Sequence, residues 1–268
     1  PAELPEPVSE GLDLGFSLAA DKPASTIALV GGQVVTMRDA NNIQEVIENA
    51  VVLVVHNRIV AVGEASEVEI PANAVQVDVA GKTLVPGLID AHAHGSQARA
   101  EIIPQQNWKN LSSLAFGVTT IHDPSNDSSE IFSASEMQRA GKILAPRLFS
   151  TGTILYGAYS PRVNAEINSY DDAFFHLQRM KDMGAISVKS YNQPRREQRQ
   201  QVLSAARDLE LMVVPEGGGK LYQNMSMIAD GHTTLEHSLN ISNGYDDLTQ
   251  FWSQTEMAYN PTLVVSYG

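Results

Sequence analysis

The chain has 268 residues, 43% of them hydrophobic and 18% charged, with a formal net charge of -13 at pH 7 when histidines are neutral. This is the composition of an ordinary soluble globular protein, and the negative charge argues against nucleic acid or an anionic membrane surface as the main partner. No run approaches the roughly 18 apolar residues that a membrane span needs, and the absence of cysteine excludes disulfides, thiolate metal ligands and a cysteine nucleophile.

The first part of the chain predicts a tail followed by a small sheet. Residues 1–24 contain four prolines and begin without Met, so we expect a linker or tail whose native start is missing. In residues 25–83, the dipeptide His56-Asn57 separates two β-branched runs and predicts a tight hairpin turn. The pattern indicates a small antiparallel sheet. Its predicted strands are Ile27–Val30, Gln33–Met37, Ala50–Val55, Arg58–Val62 and Val75–Val79.

The next apolar run, residues 84–89, leads into Asp90-Ala91-His92-Ala93-His94. It predicts a buried strand, in which alternate side chains share a face, so His92 and His94 would project the same way about 6.6 Å apart along the chain. Neutral imidazole is a common ligand of zinc and similar metals, and Asp90 would orient one ring. A solvated turn that happens to hold two histidines is the alternative.

After His94 the chain alternates strands with amphipathic helices, which is typical of βα units around a parallel sheet. With the run before His92, the pattern gives seven strands of this kind. The further strands are predicted over residues 118–121, 147–150, 186–189, 211–214, 233–238 and 257–265, and the helices over 98–116, 129–140, 169–184, 193–209, 222–229 and 251–256.

The string PGLIDAHAH, residues 86–94, resembles the first-strand signature of the amidohydrolase superfamily, and the resemblance covers most of the chain from Ile27 onward. It implies an α/β fold: a distorted (β/α)8 TIM barrel at residues 84–268 after a small β-sandwich domain at residues 25–83. Divalent metal at the strand ends would activate water. Strings such as Pro-Glu-Gly-Gly-Gly look most like the amidohydrolase domains fused behind a β-propeller in large bacterial proteins, so a preceding propeller is a predicted partner domain.

Polar residues at the C-terminal strand ends are the candidates for the site, because these ends carry the active site of a TIM barrel. His92 and His94 match the family's first-strand metal pair, and His237 in Leu-Glu-His-Ser matches its sixth-strand histidine. Lys189 falls where many members carry a carboxylated lysine that bridges two metals. The alternative is a salt-bridged lysine, because a free ammonium cannot bind a metal. His122 either contacts substrate or satisfies local backbone groups.

Two features depart from the family pattern. Glu216 stands at the end of strand 5, where the family usually has histidine, and its carboxylate would bind metal directly or bridge two ions without carboxylation of Lys189. The family's strand-8 aspartate, which takes the proton of the metal-bound water, has no counterpart before Gly268. The barrel is therefore expected to be truncated after strand 7. The run Gly217-Gly218-Gly219 lacks a phosphate-loop ending and predicts close packing or loop flexibility, and His232 is expected in a loop.

The resemblance therefore predicts a metal-dependent hydrolase that cleaves an amide or related C–N bond in a small molecule or short peptide. The predicted metal is zinc, as one or two ions, with manganese or iron as alternatives. The rival functions are a deaminase or lactonase on the same fold, and a catalytically silent binding module. Oligomeric state and compartment, whether cytoplasmic, periplasmic or secreted, stay open. The predicted metal ligands are His92, His94, Lys189, Glu216 and His237, and the predicted catalytic residues are His237, Lys189 and His122.

Overall fold

The computed structural model describes residues 24–39, 45–159 and 164–267, so the predicted tail of residues 1–24 lies almost wholly outside the described residues. The first described layer is a five-stranded sheet with the order β3-β2-β1-β4, in which β5 also pairs with β1. The strands are β1 (Thr26–Val35), β2 (Val46–Val55), β3 (Arg58–Glu64), β4 (Val75–Asp78) and β5 (Thr83–Leu84).

This sheet is mixed, which corrects the expectation of an antiparallel one. β1, β2 and β3 are antiparallel, but β4 and β5 pair with β1 in parallel. The two strands predicted on either side of Gly31-Gly32 are one strand, because register shifts around Gly32 absorb the break. His56 and Asn57 have φ of 48° and 63° between paired β2 and β3, which confirms the hairpin turn. Alternate residues of β2 enter separate apolar clusters, so the strand is buried on both faces.

The rest of the chain alternates parallel strands with helices, which confirms the α/β class. The strands form three parallel sheets with the orders β6-β7-β8, β10-β9-β11-β12 and β13-β14. The further strands are β6 (Leu88–Asp90), β7 (Val118–Asp123), β8 (Arg147–Ser150), β9 (Leu155–Tyr156), β10 (Ala165–Glu166), β11 (Ser187–Ser190), β12 (Met212–Pro215), β13 (Thr234–Glu236) and β14 (Ala258–Asn260). The helices are α1 (Trp108–Ala115), α2 (Ser128–Arg139), α3 (Tyr170–Asp182), α4 (Arg196–Asp208), α5 (Leu221–Asp230), α6 (Asp246–Ser253) and α7 (Leu263–Tyr267).

These sheets do not close into a barrel within the described residues. The short strands β9 and β10 follow β8, and β9 is the strand that pairs with β11. β12 and β13 are joined through Thr233, whose backbone N–H donates to the carbonyl of Val213 and whose hydroxyl accepts from the Val213 N–H. The seven predicted strands are therefore present as β6, β7, β8, β11, β12, β13 and β14, in an open arrangement.

The main core lies between these strands and their helices. α4 packs on this core through one face, since its Val202, Ala205 and Ala206 are fully or almost fully buried. Ser169 caps α3 by accepting from the N–H of Asp172, as its position before the helix predicts. Burial of such aliphatic side chains stabilises the fold by about 25 cal/mol per Å² of apolar surface. None of the helices in the described ranges is long and apolar enough to cross a bilayer.

Three element predictions were wrong in extent. β6 ends at Asp90, and Leu88 and Ile89 are 57% and 70% exposed rather than buried, because β7 is the one strand in the described ranges that pairs with β6. The first helix begins at Trp108 instead of residue 98, since Pro104 and the reverse turn bridging Arg99 and Ile102 interrupt the pattern. The last strand ends at Asn260, directly before Pro261, and α7 follows it.

Candidate metal centre

The structure brings five of the predicted site residues into one connected cluster. The rings of His92 and His94 lie 5.0 Å apart, and those of His92 and His237 lie 4.9 Å apart, measured between centroids. His237 Nε2 lies 3.1 Å from Glu216 Oε1, and Lys189 Nζ lies 2.7 Å from Glu216 Oε2. These side chains follow or end β6, β11, β12 and β13, so the C-terminal strand ends meet as expected for a parallel α/β arrangement.

His92 is held by a carboxylate on another strand. Its Nδ1 lies 2.5 Å from Oε2 of Glu236, and the two side chains are only 5% and 2% exposed. A carboxylate accepts, so Nδ1 carries the proton and the lone pair is on Nε2. His92 Nε2 is buried and has no hydrogen-bond partner among the described residues. In the neutral ring this unpaired nitrogen is the atom through which His92 can bind a cation.

His94 is oriented in the same way by Asp123 at the end of β7. Its Nδ1 lies 3.1 Å from Asp123 Oδ1, while Asp123 also accepts from the backbone N–H of Ser125 and the side-chain amide of Asn126. The expected role of Asp90 in orienting an imidazole is wrong. Asp90 instead accepts from the backbone N–H of His92 at 3.1 Å, because the chain turns directly after β6.

Glu216 joins a buried lysine to the third histidine. Lys189 is 1% exposed, and its Nζ forms an ion pair with Glu216 Oε2 at 2.7 Å. Burial by itself would raise the pKa of the Glu216 carboxyl, but the hydrogen bond from His237 and the charge of Lys189 outweigh it and lower the pKa to about 2. Glu216 is therefore a carboxylate throughout the neutral range.

His122 and His232 lie outside this cluster of potential ligands. His122 donates from Nδ1 to the carbonyl of Ala91 at 3.2 Å and accepts at Nε2 from the hydroxyl of Ser187 at 2.7 Å, so both ring nitrogens are occupied. Burial lowers the pKa of His122 and keeps it neutral. His232 is 2% exposed and bonds the carbonyl of Met227, and burial lowers its pKa to about 4. His122 therefore has both ring nitrogens engaged, whereas the buried Nε2 of His232 has no hydrogen-bond partner among the described residues.

The ends of β12 and β13 approach each other through a glycine. Gly217 has φ of +75°, and a Cβ placed there would lie 1.9 Å from the carbonyl oxygen of Glu236. His237, the next residue, has φ of 66°, while its N–H donates to the carbonyl of Asn260 and its Nδ1 lies 2.7 Å from Thr262 Oγ1. The predicted close packing of the glycine run is thus confirmed at Gly217.

The residues present fit a divalent cation by their chemistry. Three imidazoles and a carboxylate are suitable donors for zinc or manganese, and none of the described residues pairs with the buried Nε2 of His92. In the described ranges no three His, Asp or Glu side chains are already arranged around a single ion position. A cleft of about 860 Å³ lies beside the histidines, bounded by β6 on one side and by Asn260 to Val265 on the other.

Sequence reasoning missed Glu236 and gave Asp123 no definite role. Both carboxylates are almost fully buried and each holds the Nδ1 of a histidine from a different strand. The available signal was an acidic residue next to the histidine at a strand end, as in Leu235-Glu236-His237 and His122-Asp123. Strand alternation alone would have pointed Glu236 away from His237, and the sequence does not reveal which partner lies on that side.

The chain matches no family model and no curated protein sequence. Solved structures resemble it throughout most of its length. They include a candidate prolidase from Bifidobacterium longum (TM-score 0.72, 23% identity, 90% of this chain and 61% of that one) and a Xaa-Pro dipeptidase with bound methionine in the active site (0.70, 17%, 90% and 67%). A third is the ochratoxinase of A. niger (0.66, 14%, 88% and 65%). This chain spans less than two thirds of the length of the first of these. It shares its α/β fold with these proteins.

Proposed function

We propose that the chain belongs to the amidohydrolase superfamily and is a metal-dependent hydrolase that cleaves an amide or related C–N bond. The environment of His92 carries the proposal. Its Nδ1 is held by the buried carboxylate of Glu236, and its buried Nε2 has no hydrogen-bond partner among the described residues. The rings of two more histidines, His94 and His237, lie within 5.0 Å of the His92 ring. A buried unpaired nitrogen costs about 1–3 kcal/mol, so a site that keeps one is expected to pair it with something absent from the polypeptide itself.

In this proposal His92 and His94 would hold the ion through Nε2, together with Glu216 and with His237, whose Nε2 would give up its 3.1 Å contact with Glu216. Lys189 would either join the set as a carbamate, formed from its neutral amine and carbon dioxide with loss of a proton, or stay an ammonium that neutralises Glu216. A bound zinc, manganese or iron ion would polarise a carbonyl and bring the pKa of water toward 7. We favour zinc, because imidazole and carboxylate oxygen are its usual ligands where thiolate is absent.

The chain's own residues prepare the site for that chemistry. Glu236 and Asp123 accept from the Nδ1 of His92 and His94, so in the neutral form of each ring the lone pair is on Nε2. Glu216 is ionised there, because its pKa is held near 2. The burial of Lys189 and of the Glu236 carboxylate beside His92 removes water from these charges and strengthens each electrostatic contact.

The substrate class follows the chemistry of the proposed site and the names of the fold relatives. A dipeptidase and a phenylurea hydrolase both have this fold. We propose a small molecule or short peptide, bound beside the histidines in the cleft along β6. We further propose that residues 25–83 and 84–268 are separate domains of a bacterial protein that carries a β-propeller ahead of them.

The direct test is hydrolysis of a panel of Xaa-Pro dipeptides, N-acyl amino acids and phenylureas, measured with and without a metal chelator. The proposal predicts release of the amine from at least one class, loss on chelation and recovery with zinc. Release of ammonia from an amidine, without amide cleavage, would favour a deaminase. Opening of a lactone ring, without amide cleavage, would favour a lactonase. Turnover that survives chelation, or a metal-bound chain inactive on all classes, would contradict the proposal.

A further inference from the structure

We infer that Glu236 is the positioning residue that sets the tautomer and ring orientation of His92 for metal binding. The inference rests on the proposed metal site and adds to it a residue outside the ligand set. In this inference two neighbouring residues at the end of β13 have different roles. Glu236 orients His92, which follows β6, whereas His237 is itself a candidate ligand.

The contact between Glu236 and His92 is direct and shielded from water. The 2.5 Å separation joins Oε2 to Nδ1, across 144 residues of sequence, and both side chains are at least 95% buried. A neutral imidazole has one protonated nitrogen and one lone pair, and a metal needs the lone pair. Because the carboxylate can only accept, it keeps the proton on Nδ1 and leaves Nε2 free to bind a metal.

The local backbone explains how consecutive residues reach different partners. In an extended strand Glu236 and His237 would point to opposite faces of the sheet. Here His237 adopts φ of 66° and contacts Glu216 and Thr262, whereas Glu236 remains in β13 and extends to His92. Gly217 permits this arrangement, because any side chain at that position would collide with the carbonyl of Glu236.

Asp123 provides a comparison within the same site. It holds Nδ1 of His94 at 3.1 Å, and it is itself fixed by Ser125 and Asn126. The side chain of His94 is 53% exposed, so water can replace a lost contact there, but the side chain of His92 is only 5% exposed. Loss of the carboxylate should therefore disturb His92 more than His94.

The test is the zinc affinity of Glu236→Gln, measured in the purified full chain by competition with a chromophoric chelator. Glutamine keeps the size of the side chain but can present an N–H to Nδ1, which favours the wrong tautomer. We expect zinc binding to weaken about 10- to 100-fold, as is usual when a carboxylate behind a histidine ligand is lost. Glu256→Gln, at an exposed glutamate after α6, is the matched control and should bind as the parent does.

A second measurement reports the tautomer without any metal. In the chelated protein, ¹⁵N spectra of the His92 ring should show the proton on Nδ1 in the parent chain and a large Nε2-protonated population in Glu236→Gln. Parent-like zinc affinity and an unchanged tautomer in Glu236→Gln would overturn the inference while leaving the metal site intact. A parent chain that binds no zinc would instead overturn the proposed function and, with it, this role of Glu236.

Discussion

Gly217→Ala tests the close approach between β12 and β13 that brings the two halves of the site together. A Cβ at this position would lie 1.9 Å from the carbonyl oxygen of Glu236, whereas ordinary contact begins near 3.4 Å, so the strand ends must separate by about 1.5 Å. The backbone at φ of +75° adds strain for any L side chain. Left-handed strain costs about 1–2 kcal/mol and overpacking about 1–3 kcal/mol, which gives a total loss of about 2–5 kcal/mol.

The assay is urea denaturation of the metal-free chain, read from the transition midpoint at constant slope. Gly219→Ala is the matched control in the same glycine run, because its Cβ would meet nothing closer than the Asn240 amide at 3.6 Å. Gly217→Ala should unfold at clearly lower urea than Gly219→Ala, and its zinc affinity should fall because Glu236 and His237 are displaced. Equal midpoints for the two alanine variants would refute the role assigned to Gly217.

Three further predictions concern buried polar groups. His232 should make the free energy of unfolding fall as pH drops from 6.5 to 4, because its folded pKa of about 4 lies below its unfolded value. The loss should be about 3 kcal/mol. The variant His232→Gln lacks this titrating group, so its free energy of unfolding should depend less steeply on pH than that of the parent. In metal-free protein, Glu216→Gln should lower the free energy of unfolding by about 3–5 kcal/mol, because it leaves the Lys189 charge buried and unpaired. Adding Lys189→Met should restore part of that loss. A double variant no more stable than Glu216→Gln would count against the ion pair. Ser187→Ala should cost about 1–3 kcal/mol by leaving His122 Nε2 without its donor, with unchanged zinc content by elemental analysis; loss of zinc would place His122 in the metal site instead.

The residue pattern predicted the order of strands and helices because local patterns determine it. Apolar runs that alternate with amphipathic helices are visible within ten to fifteen residues, and cap residues such as Ser169 mark where helices begin. Extents were less predictable where a residue's neighbours in space decide. The pattern predicted Leu88 and Ile89 to be buried, but both are exposed. Within the described ranges their strand, β6, pairs with β7 on one side and with no strand on the other.

The candidate ligands could be predicted because they stand at strand ends, and His92, His94 and His237 also match family motifs, whereas Glu216 departs from them. The residues behind them could not, since Glu236 and His92 are 144 positions apart and only the folded chain shows which carboxylate meets which ring. Asp90, two residues before His92, was the natural choice from sequence and bonds the backbone instead. Long-range pairing of this kind depends on how strand ends converge, which no short pattern encodes.

His92, His94, His237 and Glu216 are the residues proposed to hold a divalent ion. The most direct test is the zinc, manganese and iron content of the purified chain by elemental analysis, together with His92→Ala and Glu216→Ala. His56→Asn, at the hairpin turn between β2 and β3, is the histidine control. We expect one or two equivalents of metal in the parent and in the control, with clear loss in His92→Ala and Glu216→Ala. A parent chain that holds no metal after growth in metal-supplemented medium, and that is indistinguishable from His92→Ala, would contradict it.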